Sequence, residues 1–102
     1  MEHQVIAELS VVPLGAGTSV SRYVARCLEV LDKSSGVSYQ LTPMGTVVLG
    51  PISAVVEVVQ KMHEAPFGMG AQRVVTTMKI DDRRDKAVTL ESKVKSVVEK
   101  GS

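Results

Sequence analysis

The sequence predicts an α+β protein of the ferredoxin-like type, a four-stranded antiparallel sheet with helices on one face, in the order β-α-β-β-α-β-α. Three observations predict it. Runs of period-two hydrophobicity alternate with runs of period 3.6 along the chain. A hairpin stretch at residues 37–51, VSYQLTPMGTVVLGP, sits between two strand–helix units. Two such split βαβ halves close most simply as a sandwich with right-handed crossovers.

Within the hairpin, residues 37–41 and 46–49 carry the branched and aromatic side chains that suit a pleated surface. Thr42-Pro43-Met44-Gly45 joins them. Pro43 fixes φ near about −65°, and Gly45 is expected to supply the positive φ of a tight reversal.

The first strand is predicted at residues 4–12, with Val5, Ala7, Leu9 and Val11 on one face and Ile6, Glu8, Ser10 and Val12 on the other. Pro13-Leu14-Gly15-Ala16-Gly17 breaks it, and Thr18 or Ser19 can cap a helix. That helix has an apolar stripe of Val20, Tyr23, Val24, Cys27, Leu28 and Leu31, and Gly36 is its natural left-handed stop. Pro51 suits the first position of the second helix, whose expected stripe is Ile52, Val55, Val56, Val59, Met62 and His63. Proline lacks the amide hydrogen and clashes with the preceding turn, so this helix is expected to fail by Pro66. In residues 72–80, Val74, Thr76, Met78 and Ile80 alternate with Arg73, Val75, Thr77 and Lys79, the pattern of a fourth strand. A last helix is predicted from residues 85–87 onward, with Ala87, Leu90, Val94, Val97 and Val98 on one side.

Composition bounds the function. With 102 residues the chain is expected to be one domain, residues 1–102. A net charge of +1 gives no reason to expect a nucleic-acid partner. One cysteine and no Cys/His cluster leave neither a disulfide framework nor a structural zinc site. The apolar start of the chain is interrupted by charged and polar residues, and no apolar run reaches the length of a membrane span. A cytoplasmic protein with no membrane partner is the expectation. Only Tyr23, Tyr39 and Phe67 could stack on a flat ligand.

The face opposite the predicted helices carries Ile6, Val12, Val75 and about half of the hairpin's apolar residues, alongside Glu8, Ser10, Thr77 and Lys79. A face of that character calls for a cover, most simply another copy of the chain, or serves as a ligand site.

Among residues that could carry chemistry, His63 beside Glu64 is the best isolated acid or base, although a histidine at a helix end also serves to satisfy carbonyls. Cys27 lies within an apolar stripe and reads as a packed small hydrophobe. The loop 13–19 has two glycines before a helix but neither the spacing nor the lysine of a phosphate loop. In the run Asp81-Asp82-Arg83-Arg84-Asp85-Lys86, neighbouring opposite charges can neutralise one another on a solvated turn. No Ser/His/Asp set or paired carboxylate stands out, so binding is favoured over catalysis and no enzyme is expected.

Three segments together, SVVPLGAGTSVSRYVA at 10–25, YQLTPMGTVVLG at 39–50 and RVVTTMKIDDRRDK at 73–86, resemble the YkoF-like family of small thiamine-binding proteins. The resemblance covers nearly the whole chain. It implies a ferredoxin-like subunit, assembly into dimers or tetramers, and non-catalytic binding of thiamine or its hydroxymethylpyrimidine half, with thiamine a ligand and no cofactor. One departure stands out: the family pattern MGTxxEG has a glutamate where this chain has Leu49 in MGTVVLG. If that position faces the ligand, affinity changes; if it faces solvent or an interface, little does.

Thiamine's needs, laid over these blocks, give a candidate ligand site. Ser10, Thr46 and the backbone around Met44 and Gly45 offer hydrogen bonds to an aminopyrimidine edge. Tyr39 or Met44 offers a flat or polarizable face, with a core role equally open to Tyr39. Glu8 could answer the thiazolium charge. The alternative is a regulatory module of the same shape that senses another small metabolite.

Overall fold

A computed structural model describes residues 3–15 and 21–85. The predicted last helix, the capping pair Thr18/Ser19 and Val20 lie outside the described residues. The described elements are β1 (Gln4–Pro13), α1 (Ser21–Lys33), β2 (Ser38–Thr42), β3 (Gly45–Pro51), α2 (Ile52–Gly68) and β4 (Val74–Asp81). The strands form one antiparallel sheet in the order β2-β3-β1-β4. This is the ferredoxin-like order expected from the alternation of periods.

The alternation in β1 sorts its side chains as predicted. Val5, Ala7 and Leu9 are buried with Val48 of β3 against Cys27 and Leu31 of α1 and Val55, Val58 and Met62 of α2. Each such fully buried aliphatic side chain contributes about 1.5–3 kcal/mol relative to exposure. Among the described residues no element covers the opposite face. There Glu8 lies between Val47 and Lys79, Ile6 beside Leu49, and Val12 opposite Val75, both over 40% exposed at 42% and 45%.

Helix α1 ends as its sequence suggests. Ser34 donates its backbone N–H to Leu31 and its hydroxyl to the Val30 carbonyl, and Gly36 follows at φ +84°. Pro51 is the N-cap of α2, with φ −60° and ψ 146°, so it precedes the first helical residue by one position.

Two expectations for α2 are corrected. Its buried stripe is Val55, Val58, Met62 and Pro66, while Ile52 and Val56 are exposed. The helix also does not fail at Pro66 but runs on to Gly68. The carbonyl that Pro66 cannot serve is that of Met62, four residues back, and the Cys27 thiol of α1 donates to it at 3.6 Å. Pro66 itself is fully buried, and its own carbonyl accepts the N–H groups of Met69 and Ala71, which close the helix.

The hairpin is corrected in one respect as well. Among the described residues only Gly15, Gly36 and Gly70 have positive φ, so Gly45 is not the reversal point. It is the first residue of β3, and a Cβ there would run into the Leu9 carbonyl oxygen of β1. Glycine is required at this position for close strand approach. The turn residues Pro43 and Met44 both keep negative φ, and the Thr42 hydroxyl donates to the Gly45 carbonyl across the turn at 3.0 Å.

Candidate functional site

The strands do not end together. β1 pairs with β3 only from Gln4 to Leu9, the last partner being Thr46, whereas it pairs with β4 as far as Pro13. Beyond Leu9, among the described residues, the β3-facing side of β1 therefore has no strand beside it, and the sheet has a notch at the hairpin end. Helix α1 lies over the notch. The result is a cavity of about 360 Å³.

Its inner wall is strand: Leu9, Ser10 and Val11 of β1 with Gly45 and Thr46 of β3. Its roof comes from Cys27 and Leu28 of α1 and Met62 of α2. The mouth is formed by Val24, Leu41 and Met44, which are 45%, 51% and 87% exposed and make an apolar rim. An apolar pocket with a few convergent polar groups is the usual form of a small-molecule site.

Thr46 is the one buried polar side chain among the described residues, at 9% exposure, and no other described residue hydrogen-bonds its hydroxyl. It lies on the cavity, where a ligand atom or water can supply a partner.

Cys27 is the ionisable group of the lining. Burial raises its pKa above that of an ordinary thiol, against a smaller opposing effect of the nearby Arg26 charge. The thiol is thus protonated at neutral pH, and it is already directed to the Met62 carbonyl. It is a packed group in the roof, as its place in the apolar stripe suggested, and not an activated nucleophile.

Four of the six site residues expected from sequence, Ser10, Met44, Gly45 and Thr46, border this cavity, although the Ser10 side chain alternates to the same face of β1 as Glu8. Two do not. Tyr39 lies on the helix-covered side of β2, packs on the core and donates its hydroxyl to Asp32 of α1 at 2.6 Å. That bond raises the phenol pKa, since losing its proton would place a second negative charge beside the carboxylate. Glu8 is exposed on the open face, on the far side of the sheet from the roof of the cavity. Leu49 shares that open face, paired with Ile6 and Ser38, three residues along β3 from Thr46. The departure from the family pattern therefore falls on the open face and not in the cavity.

Sequence reasoning missed Val24, Leu28, Leu41 and Met62 as lining residues. The stripe spacing already marked Val24, Leu28 and Met62 as inward-facing, but not that α1 overhangs the end of the hairpin.

A larger depression of about 690 Å³ runs between the outer sides of α1 and α2. Its charges are largely satisfied within their own helices, Arg26 by Glu29 at 2.7 Å and Lys61 by Glu57 at 3.2 Å. His63 is engaged elsewhere: its Nδ1 is 2.7 Å from the Thr76 hydroxyl and its ring meets Phe67 edge-on. Among the described residues no group of three or more His, Cys, Asp or Glu side chains is placed to hold a metal, and no helix is long and apolar enough to cross a membrane.

The structure is a small α+β module with a cavity of this kind between the hairpin and α1. Residues 7–98 match the family model described as thiamine-binding protein, and the chain belongs to that family. It is 49% identical to the UPF0045 protein YqgV of Bacillus subtilis, over 90% of this chain and 92% of that protein. A UPF0045 protein of Methanothermobacter thermautotrophicus is 46% identical over 94% and 98% of the two chains. Among solved structures, protein MJ1052 of Methanocaldococcus jannaschii superposes with a TM-score of 0.88 at 37% identity, covering 95% of this chain and 98% of its own. A Thermotoga maritima protein described as a candidate for thiamine biosynthesis or salvage superposes at 0.74 with 25% identity, covering 91% and 97%.

Proposed function

We propose that this protein binds thiamine, or its hydroxymethylpyrimidine half, without transforming it, in the cavity where β1 meets the hairpin. The observation that carries the reading is the Thr46 hydroxyl, without a partner among the described residues, on an apolar cavity beside a stretch of β1 that β3 does not pair. An aminopyrimidine presents donors and acceptors along one edge. The strand edge beyond Leu9 and the hydroxyl of Thr46 can meet them, while Met44 and Leu41 cover the ring face. The family description and the Thermotoga neighbour support the same ligand class.

A non-catalytic role is supported by the lining. Its ionisable group is a thiol that burial keeps protonated, and the nearest acid–base candidate, His63, is spent on Thr76 and Phe67. We further infer that the chain works as a homo-oligomer, a dimer or tetramer, with copies meeting on the open face. Ile6, Val47 and Leu49 form its centre, and Val12 and Val75 extend it.

Differential scanning fluorimetry against vitamins, amino acids and nucleotides tests the ligand class. Stabilisation by thiamine or hydroxymethylpyrimidine supports the reading; stabilisation by an amino acid or nucleotide alone replaces it with the metabolite-sensing module.

A further inference from the structure

We propose that thiamine enters the cavity pyrimidine first, with its thiazolium at the rim and its hydroxyethyl arm in water, so that the protein binds thiamine and its phosphate esters alike. This rests on the cavity being the thiamine site and specifies which forms of the vitamin it takes.

The cavity has a direction. At its inner end Leu9, Met62, Cys27 and Thr46 are at most 9% exposed, whereas Val24, Leu41 and Met44 at the mouth are at least 45% exposed. Hydrogen-bonding groups gather at the inner end. Thr46 is there, opposite Leu9, the last residue of β1 that β3 pairs. The register supplies the next groups along β1. Leu14 donates its N–H to Arg73, beside β4, and backbone groups alternate sides along a strand, so Val12 and Ser10 also turn theirs to β4. Val11 turns its N–H and carbonyl the other way, toward the notch, a donor and an acceptor side by side.

Thiamine has two unlike halves. Its aminopyrimidine is neutral at neutral pH and carries a donor and an acceptor next to one another on one edge. Its thiazolium is permanently charged, and removing that charge from water costs far more than removing a neutral ring. The two gradients align in one orientation. The pyrimidine edge meets Val11 and Thr46 at the buried end, and the charge keeps its water at the mouth, beside the Met44 thioether. The bridging methylene is bonded to the thiazolium nitrogen, and the hydroxyethyl arm leaves from the far side of that ring. The arm therefore points outward past Met44 and Leu41, where a phosphate added to it stays hydrated.

Isothermal titration calorimetry on the whole chain at neutral pH tests this with thiamine, its monophosphate and diphosphate, and oxythiamine, in which an oxygen replaces the exocyclic amino group. Thiamine and its two esters should bind within about threefold of one another, and oxythiamine at least about tenfold more weakly. In Met44→Lys, a cation at the rim should weaken thiamine relative to hydroxymethylpyrimidine by at least about fivefold. Esters binding tenfold more weakly than thiamine, oxythiamine binding as tightly, or an unchanged ratio in Met44→Lys would overturn the orientation and leave the site standing. A parent protein that binds neither thiamine nor hydroxymethylpyrimidine would overturn the site and the orientation with it.

Discussion

The Cys27 thiol of α1 donates to the carbonyl of Met62 in α2, the acceptor that Pro66 leaves without its helical N–H. One side chain thus joins the two helices, lines the cavity roof and allows α2 to pass through a buried proline. Cys27→Ala should lower stability by about 1–3 kcal/mol, from the orphaned carbonyl and the lost volume. Pro66→Ala restores the N–H, so Cys27→Ala should cost measurably less in that background. A double-mutant cycle by urea denaturation checks the coupling, and strict additivity would contradict it.

Thr46→Val should separate binding from folding. The substitution is close to isosteric and removes a hydroxyl that no other described residue partners, so stability should stay the same or rise slightly. Ligand affinity should fall by about 1–1.5 kcal/mol, roughly tenfold. Denaturation and calorimetry on the same preparation give both values.

Leu49→Glu restores the family pattern on the open face, away from the cavity. Affinity for hydroxymethylpyrimidine should be unchanged within a factor of about two. A large gain would place the ligand on the open face.

Val47→Lys puts a charge at the centre of that same face, between Gln40 and Glu8. Light scattering should show the assembly falling to smaller species while the circular dichroism of the fold persists. A parent protein that is already monomeric at micromolar concentration would remove the interface.

At the other end of the sheet, Asp82 is held below its ordinary carboxylate pKa, first by the Arg84 guanidinium and then by His3, whose Nε2 is 2.5 Å away. A depressed folded pKa means this tie is intact above about pH 4 and is lost as pH falls through the lowered value. The carboxylate is solvent-exposed, so the effect on stability is small. NMR titration of the Asp82 carboxyl should give a midpoint below 3.8, and Arg84→Ala should raise it.

Legibility in the sequence followed the range of the interactions involved. The faces of β1 and β4 depend on alternation between neighbours, and Val5, Ala7, Leu9 and Ile80 fall on the helix side as their spacing demands. The passage through Pro66 depends on a thiol 35 positions from the Met62 carbonyl it serves, which no local rule reports. Gly45 was recognisable as obligatory, but for a turn angle, whereas its reason is the Leu9 carbonyl across the sheet. Tyr39 shows the same limit: strand parity placed its side chain, but only the proximity of α1 supplied Asp32 as its partner. At the site, residues of β1 and the hairpin were readable because they are paired neighbours, while Val24 and Met62 join only when the helices close over the notch.

The most direct test of the ligand site is residue-resolved: titration of the ¹⁵N-labelled protein with hydroxymethylpyrimidine, followed by amide chemical shifts. The largest changes should fall on Val11, Cys27, Gly45 and Thr46, around the notch. Changes confined to Glu8, Gln40, Val47 and Lys79 on the open face, or no saturable change at all, would contradict the account.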